Sequence, residues 1–143
     1  MEATRRAREL GIEFAGTPGK WNSIPDVAGV EVGYAPLIRG DGPLQMGLGP
    51  VRPGVTAILP LGRDGVGSSC PAGWFSFNGN GEMTGTAWLD ETGALSLPIG
   101  ITNTHAIGPV HRGIIEWSIR ANPSLSPRWH LPVVAETWDG YLN

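Results

Sequence analysis

The groups in this sequence best suited to bind or transform a substrate are a few carboxylates, hydroxyls and backbone amides, and several fall in one stretch. Residues 77–85 read F-N-G-N-G-E-M-T-G. Asn and Gly tolerate positive φ, so the backbone through Asn78, Gly79, Asn80 and Gly81 can turn sharply and present its N–H groups outward. A corner of that kind can hold developing negative charge on backbone donors, with the Glu82 carboxylate and the Thr84 hydroxyl beside it. The same Asn-Gly pairs equally make a plain hairpin turn, in which Asn78, Asn80 and Glu82 are turn residues only. Glu136, at the end of the run H-L-P-V-V-A-E, reads by position alone as a solvated residue at a strand end.

Other chemistries find less support. Cys70 is the single cysteine; it has no internal disulfide partner and no surrounding thiol-protease signature. His105, His111 and His130 lack the i, i+4 spacing and carboxylate company of a metal-binding helix, so no metal and no cofactor is expected. Gly79, Gly81 and Gly85 have the wrong spacing for a dinucleotide-binding fingerprint. The net charge is −3, Lys20 is the only lysine, and Arg5, Arg6 and Arg8 make only a small basic group. Without a basic stripe, nucleic-acid binding is not expected. The start of the sequence has no apolar leader and no stretch approaches a membrane span, which predicts a soluble, cytoplasmic protein.

The elements that must position these groups follow from pattern. The 143 residues suffice for about one domain, and 22 glycines with 13 prolines punctuate apolar runs without forming a low-complexity tract. Six tryptophans imply large buried surfaces or an aromatic-lined pocket. A short helix is predicted over residues 3–10, ending at Gly11, then strands over 27–34, 54–61, 72–77, 94–102 and 130–136. The proline in 94–102 suggests an edge strand or a bulge. Residues 38–53 read as an exposed loop or a partner-ordered arm. Ile107, Val110, Ile114, Trp117 and Ala121 recur at spacings of three and four, predicting one long helix over 104–121, capped by Asn103 or Thr104 and ended by Asn122-Pro123. Strands predominate with one long helix, giving an α/β (α+β) class in which a sheet is covered by helices. Nothing after Glu136 completes the sheet, so residues 1–143 are expected to be one partial domain.

Seven segments, in order, resemble the amino-terminal part of the DmpA-type aminopeptidases, the L-aminopeptidase/D-esterase and β-peptidyl aminopeptidase family. They are R-A-R-E-L-G-I (6–12), G-T-P-G (16–19), I-P-D-V-A-G-V-E-V-G (24–33), G-P-V-R-P-G-V-T-A-I-L-P (49–60), A-G-W-F-S-F-N-G-N-G-E-M-T-G (72–85), I-T-N-T-H (101–105) and A-E-T-W-D-G-Y-L-N (135–143). The resemblance implies a four-layer αββα sandwich made from a precursor that cleaves its own backbone into α and β chains, assembled as an oligomer of αβ units. It implies a serine nucleophile at the new β-chain N-terminus whose own α-amine, with a pKa near ~8, serves as the base. This chain resembles roughly the first two-fifths of such a precursor, with the nucleophile about a hundred residues beyond Asn143. No serine in the sequence takes that part.

Two site residues are implied by the resemblance. Glu136 matches the family's glutamate that binds the substrate's free amino group, and Trp138 stands where the family has a tyrosine that helps hold the oxyanion. Indole N–H is a donor, but a larger and differently aimed one. The expected activity is therefore hydrolysis of N-terminal residues from small peptides, amides or esters with a free amine, including β-amino and D-residues. The alternative is a non-catalytic, truncated or degenerate scaffold that folds only with its partner β chain.

Overall fold

Strand β1 (Glu31–Pro36) opens a chain order that continues through β2 (Gly54–Leu59), the two-residue β3 (Cys70–Pro71), helix α1 (Thr86–Thr92), β4 (Ala94–Leu95), β5 (Ile99–Asn103), helix α2 (Ile107–Ala121) and β6 (Val133–Thr137). These elements are seen in a computed structural model, which describes residues 5–141. Four strands form one sheet in the order β1-β2-β5-β6, and β3 pairs with β4 apart from it. β1–β2 and β2–β5 are antiparallel, whereas β5–β6 are parallel, with Ile99 opposite Val133 and Thr102 opposite Glu136. Parallel neighbours need a long crossover, and α2 supplies it. The result is the mixed α/β class expected, with its long helix where the apolar period places it.

α2 lies on the sheet through Ile107 and Ile114, which bury with Val134, and through Val110 packed against them. Gly100 makes that approach possible. A Cβ at Gly100 would lie 2.8 Å from Val110 Cγ1 and 3.0 Å from Ile114 Cδ1, inside ordinary contact distance. Gly100→Ala is expected to cost about 1–3 kcal/mol by overpacking, read by chemical denaturation. A change below a few tenths of a kcal/mol would mean that the helix can lift freely. Trp117 packs on the second core group of Leu59, Val66, Leu97 and Leu125. Ala121, placed on the same helix face by its spacing, is exposed at the helix end, and Ser118 is the residue buried in the last turns.

Several elements differ from the sequence pattern. Residues 3–4 lie outside the described residues, and the first helix is a 3-10 turn at Ala7–Leu10 closed by Gly11 at φ 81°. The first strand begins at Glu31, not 27, because Val27 to Val30 forms a turn with Val30 N–H donating to Val27 O at 3.1 Å. Residues 72–77 are not a strand. The ladder stops at Pro71, where β3 ends, and Phe75 and Phe77 stand 83% and 92% exposed. The 94–102 run divides at Leu97-Pro98 into β4 and β5, which belong to different sheets. Proline, lacking a donor, marks that break, and β5 is interior to its sheet, not an edge. The final strand starts at Val133, after Pro132. Residues 38–53 are an arm that extends the β1–β2 pair, with Arg39 bridging Val51 and Gln45 bridging Gly49. Arg52 braces it by donating to the carbonyls of Arg39 and Gly40 at 3.1 and 2.7 Å.

Helix α1 is absent from the sequence-based prediction. Seven residues are too few for a readable period, and its start carries no side-chain cap. Gly85 turns the chain into it at φ 75°, where a Cβ would meet the carbonyl oxygens of Leu131 and Pro132 at 3.1 and 3.2 Å. Leu89 then buries with Leu95 and Val133. Gly85 thus lets the segment before α1 run directly along β6.

Candidate active site

Residues 82–84 pair with the free side of β6. Glu136 N–H donates to Glu82 O at 2.9 Å, Met83 bridges Ala135, and Thr84 N–H donates to Val134 O at 3.0 Å. Where a regular ladder would next offer a carbonyl, the Thr84 side chain substitutes. Its hydroxyl accepts from Val134 N–H at 2.9 Å and donates to Pro132 O at 2.7 Å. Val134 is fully buried and Pro132 nearly so, so both groups need these partners. The corner is therefore fixed against β6 at Glu136.

The Glu136 carboxylate is held from two directions. Its Oε2 accepts from Glu82 N–H at 2.9 Å, and its Oε1 accepts from the Thr104 hydroxyl at 2.7 Å. Thr104 follows β5 directly, opening the 3-10 turn Thr104–Ala106, and Asn103 caps that turn by accepting from Ala106 N–H at 3.0 Å. Of the two residues expected to cap, Asn103 does so; the Thr104 side chain serves Glu136. An ionised carboxylate offers about four lone-pair directions, and two are used, leaving capacity for a cationic donor. Glu136 is half-buried. It shares a cleft of about 380 Å³ with Trp74, Phe75, Phe77, Asn78 and Met83.

The structure brings Glu136, Glu82, Asn78 and Asn80 together in that cleft. Asn78 Oδ1 accepts from Asn80 N–H at 2.9 Å, which closes a local turn, and no residue of 78–81 takes the left-handed conformation that the Asn-Gly pairs allow. Glu82 acts on Glu136 through its main chain. Trp138 is 67% exposed and packs edge-on against Tyr141, with centroids 4.8 Å apart at 79°; it is not among the residues lining the cleft. Cys70 is half-buried, its thiol donating to Leu95 O at 3.5 Å. Among the described residues no three His, Cys, Asp or Glu side chains converge as a metal site. Sequence reasoning overlooked Thr104 as a Glu136 partner; the signal available was a hydroxyl residue at the carboxyl end of a predicted strand.

The family model described as Peptidase family S58 matches residues 22–143. The chain is 54% identical over 140 residues to the beta-peptidyl aminopeptidase BapA of Sphingosinicella microcystinivorans, covering 96% of this chain and 34% of that protein. It is 50% identical over 143 residues to the beta-peptidyl aminopeptidase BapA of Sphingosinicella xenopeptidilytica, with the same coverage. Its fold superimposes with a TM-score of 0.83 and 44% identity on the L-aminopeptidase D-Ala-esterase/amidase of Ochrobactrum anthropi, a prototype for the serine aminopeptidases and a variant of the Ntn hydrolase fold. That match covers 96% of this chain and 39% of the other. The chain thus spans about a third of the length of the curated relatives it matches.

Proposed function

The chain belongs to peptidase family S58, and on that premise we propose that it is the N-terminal portion of a self-cleaving, serine-type aminopeptidase. The substrates are peptides, amides or esters with a free amine, including β-amino and D-residues. The observation that carries this reading is the Glu136 carboxylate, fixed by the Thr104 hydroxyl and the Glu82 amide while keeping acceptor capacity toward an open cleft. A substrate ammonium placed there makes a charge-assisted hydrogen bond, which sets the distance from the amine to the scissile carbonyl.

In this scheme the nucleophile is the first residue of a β chain cut from the same precursor. Its hydroxyl attacks the carbonyl and gives its proton to its own α-amine; the acyl-enzyme forms as the leaving group departs, and water then releases the acid. Trp138 flanks the oxyanion, and Asn78, Asn80 and Glu82 line the approach. Trp138 reaches that role by turning its N–H from its present packing on Tyr141. Residues 1–143 form one partial domain of a four-layer sandwich, completed by the β chain and assembled as a homo-oligomer of αβ units in the cytoplasm. The bare apolar side chains of Met46, Leu48 and Tyr34 on the β1–β2 edge and its arm support further packing partners.

The test uses the complete protein with β-alanyl p-nitroanilide and its N-acetylated form. Hydrolysis of the free amine at least about tenfold faster is expected from one charge-assisted hydrogen bond. Equal rates on both would overturn the amine-binding role of Glu136. No hydrolysis of either would favour the non-catalytic scaffold, the reading that the packing of Trp138 on Tyr141 supports.

A further inference from the structure

One wall of the cleft at Glu136 is aromatic. Trp74 is anchored: its indole N–H donates to Asp90 Oδ1 on α1 at 2.8 Å, and α1 is held to the core by Leu89. Beside it Phe75 and Phe77 present nearly bare rings, and Met83 is partly open. Exposed aromatic rings in a group, next to a carboxylate with free acceptor capacity, call for an occupant that is apolar at one end and cationic at the other. The cleft volume of about 380 Å³ lies in the range of small-molecule sites. None of the residues lining it is basic, and both Glu82 and Glu136 are acidic.

We propose that this aromatic wall is the side-chain pocket for the substrate's N-terminal residue, and that Trp74 and Phe77 make it select apolar, aromatic-sized side chains and reject acidic ones. The inference rests on the reading of Glu136 as the ammonium site. With the ammonium on Glu136, the side chain on the amine-bearing carbon falls within the same cleft, in an α-residue and in a β-residue substituted at that carbon alike. Trp74 is the rigid face because its ring plane is set by the bond to Asp90. Phe77 lines the same cleft with its ring exposed, so an entering side chain takes that ring out of water. An acidic side chain would meet Glu82 and Glu136 with only the substrate's own ammonium to offset them, so its exclusion needs no steric block. A pocket of this kind distinguishes by contact area, the discrimination being about tenfold to a hundredfold for a few carbon atoms.

The decisive comparison uses the complete protein with L-phenylalanyl and L-alanyl p-nitroanilide, and calorimetric binding of L-phenylalaninamide and L-alaninamide as a readout independent of turnover. Trp74→Ala and Phe77→Ala are each expected to lower kcat/KM and affinity for the phenylalanyl ligand about tenfold or more, and for the alanyl ligand less than about threefold. Trp74→Phe, which keeps a ring but loses the bond to Asp90, is expected to fall between. Phe77 is 92% exposed in this part of the protein, and an unchanged melting temperature of the complete variant is the control that its truncation leaves the core untouched. Equal losses on both ligands, no loss on either, or a change in assembly mass would overturn the proposal, the last because the rings would then be covered by protein. Glu136→Gln separates the two readings: it weakens both ligands alike. If it changes neither while the phenylalanyl-to-alanyl split persists, the pocket stands and the ammonium assignment falls.

Discussion

Glu136→Gln in the complete protein is expected to lower kcat/KM for L-alanyl or β-alanyl p-nitroanilide by about tenfold to a hundredfold. A hydrogen bond to a charged group contributes about 1.5–3 kcal/mol, and about 1.4 kcal/mol corresponds to a factor of ten. Glutamine preserves length and can still accept from Glu82 N–H with its amide oxygen. What it loses is the charge that attracts an ammonium. With the amide oxygen turned to Glu82 N–H and the NH2 group donating to the Thr104 hydroxyl, which can accept, both contacts survive and the change isolates the charge. The loss should appear chiefly in KM if the ammonium contact is equally strong in ground and transition states. An unchanged kcat/KM, with the variant's melting temperature unaltered, would remove Glu136 from the mechanism.

Thr84→Val is expected to destabilise the protein by about 2–4 kcal/mol, since two buried main-chain groups lose their partner and each unsatisfied group costs about 1–3 kcal/mol. Valine fills the same volume, so the change isolates the hydroxyl. The groups stranded are Val134 N–H and Pro132 O. Thr84→Ser keeps the hydroxyl and should lie within about 1 kcal/mol of the parent. Against a typical total of about 5–15 kcal/mol, the valine variant gives up a large share. Denaturant titration of both variants measures the difference; a loss in Thr84→Val below about 0.5 kcal/mol, inside ordinary surface-substitution scatter, would mean that water replaces the hydroxyl. Because Thr84 holds the 82–84 segment to β6, the same variant should weaken free-amine substrates by displacing the Glu82 amide.

The parts of this fold that were legible in the sequence are those with a long period or a long apolar run. α2 shows itself through Ile107, Val110, Ile114 and Trp117, and β2, β5 and β6 through aliphatic runs. What escaped was short or non-local. α1 has seven residues and a glycine before it, so neither period nor cap announces it. The run from Ala72 to Phe77 has strand composition, yet its rings line an open cleft, and composition cannot tell a ladder from a cleft wall. At the site, Glu136 was reached by resemblance, not by position. Thr104 lies 32 residues away from it and bonds by a side chain that, read locally, belongs to a helix cap. Glu82 contributes an amide, and a main-chain donor leaves no trace in residue type. The Asn-Gly corner is a turn, closed by Asn78 accepting from Asn80 N–H, and the chain just past it brings the Glu82 amide to Glu136.

The convergence on Glu136 also bears on the order in which the molecule becomes competent. The donors come from segments made early, Glu82 before α1 and Thr104 after β5, while the acceptor arrives on β6 after the α2 crossover. Aligning β6 with β5 closes a long chain segment, a slow kind of contact to form. Until that closure the Glu82 N–H and the Thr104 hydroxyl lack the carboxylate that they share. The joining of both donors to Glu136 thus reports that β6 has docked on β5: in a nascent or partly opened chain the arrangement is absent, and it appears with that strand.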